Sequence, residues 1–153
     1  MSTPIIEHIA ANILTTINTV TTAGDYNQDI NCIRPKRVDF VTPWKDLDAV
    51  LNQLESEDID LGNGVKGWQQ SFICEVVVID SDDSATTIDT RLNQIAADIE
   101  KALTADVTRG GYAIETSITG TQRFEADDAG PGGIAIEFFV DYRTVYNDPY
   151  TQA

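Results

Sequence analysis

The chain has 153 residues, 42% hydrophobic and 23% charged, an ordinary globular mix that excludes a disordered or collagen-like polymer and suits one domain spanning residues 1–153. Twenty-five acids against ten bases leave a net charge of −15, which repels phosphate and anionic lipid. No apolar run approaches the ~18 residues of a membrane span, the opening MSTPIIEHIA lacks the basic stretch of a secretory signal, and two cysteines are too few for a disulfide framework and fit a reducing compartment.

The first predicted element is a helix from Pro4 to Val20. Ser2 or Thr3 is placed to cap it, Pro4 suits a first helical position, and Glu7 lies where the helix dipole favours an anion. Ile6, Ile9, Ala10, Ile13, Leu14, Ile17 and Val20 recur at helical spacing and form one apolar stripe. Short strand patterns follow at Ile30–Ile33 and Val38–Val41, broken by Pro35 and Pro43. Asp46 to Leu54 fits either a short helix or a strand leading into an acidic loop, ESEDIDLGNG.

The richest strand pattern is Phe72 to Ile79, with Phe72, Cys74, Val76 and Val78 alternating against Ile73, Glu75, Val77 and Ile79. A second helix is predicted from Ser84 to Leu103. Its stripe is Ile88, Leu92, Ile95, Ala96, Ile99 and Leu103, with Asp82 and Asp83 at the positive end and Lys101 at the negative end. Gly110 and Gly111 prevent its continuation. Ala113–Phe124 and Ile134–Tyr146 are long strand patterns joined by FEADDAGPGG, and read as a hairpin. The fold class is therefore α+β, a mainly antiparallel sheet with two helices on one face and a long C-terminal hairpin.

Catalytic patterns are scarce. His8 is the only histidine and lies off the first stripe, where a solvated side chain is expected. Cys32 and Cys74 fall in strand patterns and read as small core residues. Neither a Walker A, a dinucleotide-binding glycine pattern nor HExxH occurs. Asp25, Asn27 and Asp29 open like an EF-hand loop, but Ile30 replaces the turn glycine and Lys36 the closing glutamate. No catalytic residue, metal or cofactor is expected, and loop acids such as Asp58, Asp60, Asp80, Asp82 and Asp83 read as solvated.

Charge placement is more informative. Residues 1–45 carry four acids and four bases, so the whole excess lies beyond them. Acids cluster at Glu55, Glu57, Asp58 and Asp60, at Asp80, Asp82 and Asp83, and at Glu125, Asp127 and Asp128, all expected in loops. Such runs either solubilise a face or let DNA pass without gripping it, since its counterions are then not released. Arg34-Pro35-Lys36-Arg37 holds three of the ten bases. Nucleic-acid binding is not expected of it; it either protects a sheet edge or docks on an acidic surface of a neighbouring copy.

The order IIEHIAANILTTI, INCIRPKRVDFVTPW, SFICEVVVIDSDD, IDTRLNQIAADIEKAL, TRGGYAIETSITGTQRFEADD and IAIEFFVDYRTVYNDPYTQA resembles the tail terminator (tail completion) proteins of long-tailed bacteriophages over nearly the whole chain. The helix ending DIEKAL before TAD and TRGG, and Tyr142-Arg143-Thr144 before Asn147-Asp148-Pro149-Tyr150, carry it most specifically. Asp46–Leu54 departs from the apolar strand such proteins would have there, although the resemblance implies a strand. It further implies a virion protein made in the host cytoplasm, a homo-oligomeric ring of six copies at the head-proximal end of the tail. That ring would end polymerisation of the tail tube protein, meet a head-completion or connector protein, and pass DNA without reading its sequence, away from any membrane.

On that reading Arg34, Lys36 and Arg37 belong at subunit seams, and Glu125, Asp127 and Asp128 on a lumen or acidic surface. Tyr146, Asp148, Pro149 and Tyr150 are candidate tube or head contacts, since chain ends and aromatic residues favour interfaces. The alternatives are a head–tail joining or tail tube protein of the same virion class, and, in another class, a divalent-cation-dependent hydrolase using loop carboxylates.

Overall fold

The computed structural model describes residues 2–35, 45–79, 86–126 and 131–153. Helix α1 spans Ile5–Ile17 and buries Ile5, Ile9, Ala10, Ile13 and Ile17; Ile5 joins the expected stripe, while Ile6 and Leu14 are only half-buried. It ends three residues before Val20, which is nonetheless buried. Pro4 itself occupies the N-cap with extended backbone and no side chain caps the helix, so neither Ser2 nor Thr3 does the expected job. A short 3-10 turn at Thr22–Gly24 leads to strand β1, Asn31–Ile33.

Strand β2 spans Asp48–Gly62 and β3 Val65–Val77. The Asp46–Leu54 segment is thus strand from Asp48 on, after a turn at Asp46 and Leu47, and the ESEDIDLGNG stretch continues it, which corrects the acidic loop: Glu55, Glu57, Asp58 and Asp60 all belong to β2. Only the last residues turn. Asn63 and Gly64 have φ of 53° and 76°, the left-handed pair that a two-residue hairpin matching strand twist requires. Beyond Asn52, β2 is exposed on both faces; its ladder with β3 holds it as a strand without apolar alternation.

Helix α2 spans Ile88–Ala105, with the Thr87 side chain accepting from the Thr90 backbone N–H. It starts later and ends two residues further than expected. Asp89 is the acid of its first turn, while Asp82 and Asp83 lie outside the described residues. Lys101 is not in the last turn: its Nζ donates to the Asp25 carbonyl at 3.2 Å and lies over the Tyr26 ring. β4 (Glu115–Phe124) and β5 (Gly133–Val145) form the expected hairpin, and β6 (Asp148–Gln152) folds back on β5.

The strands form one sheet in the order β1-β2-β3-β5-β4, with β6 beside β5; β1 joins β2 in parallel and the other pairs are antiparallel. Register puts Phe72 opposite Phe138, Cys74 opposite Ile136 and Val76 opposite Ile134. These pairs, with Ala49, Leu51, Val140 and Tyr142, face Ile9, Ile13 and Ile17 of α1 and Leu92, Ile95 and Ile99 of α2 in one core. Both helices therefore cover the same face. Each fully buried isoleucine there contributes roughly 1.5–3 kcal/mol of burial free energy, which makes this layer the main source of stability.

One acid belongs to that layer. Asp98 is 3% exposed on α2, and its carboxylate accepts from the backbone N–H of Asn27 (2.8 Å), that of Gln28 (3.1 Å) and the Asn27 side chain (3.0 Å). It fixes the loop after α1 to α2. Asn27 and Asp29 are thereby used inside the fold, Asp29 accepting from the Thr22 N–H at 2.7 Å, so the EF-hand-like spacing has a structural use.

Candidate functional site

The two cysteines meet in the core. Both are buried, and the neighbouring Cys32 thiol together with burial pushes the Cys74 thiol well up, so Cys74 is not poised as a nucleophile. His8 is half-buried and stacks on Tyr112 with ring centroids 4.5 Å apart, which corrects its solvated placement. Among the described residues, no group of three or more His, Cys, Asp or Glu side chains is arranged to hold a metal. No described helix is long and apolar enough to cross a membrane.

The candidate contact residues are dispersed. Arg34, just past β1, is held within its own chain by a two-pronged ion pair with Glu7 of α1 (3.0 and 3.1 Å). The Arg34 hydrogen bond holds the Glu7 carboxyl below the usual range, partly offset by burial, and the pairing raises Arg34 in turn. Lys36, Arg37, Asp127 and Asp128 lie outside the described residues, as do Val38–Val41 and Asp80. Glu125 is exposed and pairs with Arg123 at 3.0 Å, while Arg123 also reaches Asp89 of α2 at 2.9 Å.

Tyr146 and Tyr150 are exposed, as is Pro149, while Asp148 accepts from the Tyr150 N–H (3.1 Å) and the Thr151 hydroxyl (2.7 Å). The tail is thus a formed strand, a feature its turn-like Asn-Asp-Pro did not announce. Lys66 sits 4.8 Å from the Trp68 ring centroid and 5.3 Å from that of Tyr146, fastening the tail's first aromatic residue to β3.

Two features escaped the sequence. Arg109 is fully buried at the end of α2, where Nη2 donates to the Leu103 and Asp106 carbonyls and satisfies helix-end acceptors. Burial pushes its guanidinium down, and Nε and Nη1 have no protein partner. No periodicity marks a loop residue for burial, so nothing in the pattern signals it. The second is a groove of about 530 Å³ on the sheet face away from the helices, lined by Glu57, Ile59, Leu61, Gly67, Asp141 and Arg143 among others. Tyr142, which also borders it, stacks on Trp68, and burial pushes its phenol up to about 12.

The sheet perimeter is open in two places. Among the described residues β1 covers only Asp48–Val50 of β2, leaving the acidic stretch of β2 without an outer neighbour, and β4 has β5 on one side only. The β4 edge between Thr116 and Gln122 carries no charge. Compared with protein-family models and with curated proteins, the chain matches none.

Proposed function

We propose that the chain is a structural virion subunit, a non-enzymatic ring that caps a completed phage tail tube, ends its growth and offers its other face to a head-completion protein. The supporting observation is the pair of unlike open edges, one carrying Glu55, Glu57, Asp58 and Asp60 on β2 and one uncharged from Thr116 to Gln122 on β4. Unlike surfaces on one subunit make heterologous contacts, and these close into rings where the rotation allows. Acids along β2 oppose pairing of two β2 edges with each other.

Function follows by binding, with no bond made or broken. A tube grows because each ring's upper face templates the next; a terminator copies the tube-facing surface and presents a different upper one. The excess of acids suits an annulus through which DNA moves, because a like-charged wall releases no condensed counterions and so gains no grip. In this arrangement Glu125, Asp127 and Asp128 face the lumen or outer surface, the Arg34–Arg37 run lies near seams, and Tyr146, Asp148, Pro149 and Tyr150 meet tube or head.

Sedimentation velocity separates this from a tube protein. A terminator gives a discrete ring species, alone or on added tubes, whereas a tube protein stacks into filaments of unlimited length. Open-ended filaments from the purified chain would overturn the reading.

A further inference from the structure

Three of the most exposed large apolar side chains surround one concavity on the outer sheet face. Ile59 is 63% exposed, Ile114 50% and Leu61 45%, and all three line the groove. Gly67 forms a notch in it: a side chain there would meet Leu61 Cδ1 at 3.0 Å and Ile59 Cγ2 at 3.2 Å. Single exposed apolar residues are ordinary, but a convergent set in a concave surface marks a contact.

Strand register sets a row of acids beside this notch. Glu57 of β2 lies opposite Gln69 of β3, Gln69 opposite Asp141 of β5, and Asp141 opposite Glu115 of β4. Residues directly opposite share a face, so three carboxylates cross the sheet within three strand spacings, about 14 Å. Asp141 and Glu115 are thus neighbours of like charge, an arrangement that costs stability. The Gln69 amide donates to Asp141 at 3.2 Å, but among the described residues no base pairs with Glu57, Asp141 or Glu115. Two residues along the strands comes the next row, with Ile59 opposite Gly67 and Gly67 opposite Arg143. Arg143 is the one base among the described residues that line the groove, so acids exceed it three to one.

An acidic row and an apolar row about 7 Å apart define what fits between them. An extended segment laid along their boundary sends alternate side chains to opposite sides. Its cations then meet the carboxylates while its aliphatic side chains enter the notch. Another copy of this chain supplies such a segment poorly. Of its described bases, Arg34, Lys66, Arg91 and Arg123 are ion-paired, and Lys101 and Arg109 donate to backbone carbonyls. Arg143 belongs to the groove itself, which leaves Lys45 in a subunit of charge −15. We infer that the groove of Ile59, Leu61, Gly67 and Ile114, with its row of Glu57, Asp141 and Glu115, docks an extended segment of a different protein in which Lys or Arg alternates with aliphatic residues. Opposite charge sets the register of that segment and the apolar notch holds it. The inference goes beyond the ring reading and requires neither a ring nor a tube.

A peptide titration tests it. The full chain carries isoleucine methyl groups as NMR reporters, and the probe is an acetylated peptide alternating lysine with leucine. Saturable shifts should appear at Ile59 and Ile114 and be absent at Ile33 and Ile79, which are exposed outside the groove. A peptide alternating lysine with serine should bind at least about tenfold more weakly. Glu57→Gln combined with Asp141→Asn should weaken the leucine peptide about fivefold. Gly67→Ala, which fills the notch, should weaken it about tenfold, with thermal melting as the check on folding. Where Gly67→Ala fails to fold, Ile59→Ser should show the same loss. Absence of saturable shifts, equal binding of the serine peptide, shifts spread alike over Ile33 and Ile79, or variants that bind like the parent chain each overturn the inference. So do Ile59 and Ile114 shifts that change on dilution of the chain alone and vanish in Gly67→Ala, a result that gives the groove to a second copy.

Discussion

Asp98 shows how a single side chain can carry a connection between distant segments. Its carboxylate satisfies three donors from Asn27 and Gln28, so removing it leaves buried N–H groups unpaired, and the cost of unpaired buried groups exceeds the value of the bonds themselves. Asp98→Ala should lower unfolding free energy by about 2 kcal/mol and Asp98→Asn by about half as much, read from urea denaturation. The signal was present in the sequence: Asp98 falls three residues after Ile95 and four before Ala102, on the apolar stripe of α2. An acid on that stripe either disrupts the core or is bound in it, and the pattern alone does not say which. Glu7 makes a weaker, pH-dependent contribution. Because the folded carboxyl lies below its unfolded value, the pair stabilises above about pH 4.3 and the contribution is lost as pH falls through the folded pKa. Both groups are substantially exposed, so the effect on stability is small. The direct check is the Glu7 NMR titration, whose midpoint should move up toward the ordinary value in Arg34→Gln.

At the scale of elements, burial on one face decides what a sequence reveals. Helices α1 and α2 and strands β3 and β5 each press one side into the same layer, so their periods of 3.6 and 2 are written in apolar residues. The outer half of β2 has water on both sides, which removes the alternation and makes four acids resemble a loop. Asn63-Gly64 was the remaining local signal there, a favoured two-residue hairpin turn. Gly64→Ala should destabilise by about 1 kcal/mol, since a Cβ is disfavoured at positive φ. Gly133 is a different case, one of space. A Cβ there would collide with the Val76 carbonyl oxygen in the neighbouring strand and with the Phe124 ring. Gly133→Ala should therefore cost more than about 2 kcal/mol and loosen the start of β5, visible as faster amide exchange at Val76 and Ile134.

For the whole molecule, charge asymmetry was legible and the groove was not. The acids and the Arg34–Arg37 run can be counted along the chain, but the groove draws on β2, β3, β5 and Ile114, whose meeting depends on strand order. Surfaces assembled across a sheet leave no local pattern. The proposed seams also predict a salt response. If charged contacts hold copies together while like-charged faces repel, screening acts on both, and replacing Lys36 and Arg37 with Glu should reduce assembly most at low ionic strength. The central claim is that this chain stops a polymer. The most direct measurement is electron microscopy of tail tubes polymerising with and without the purified chain. The account predicts tubes that stop lengthening and carry one ring at a single end. Tubes that grow on unchanged with bare ends, or that incorporate the chain along their length, would contradict it.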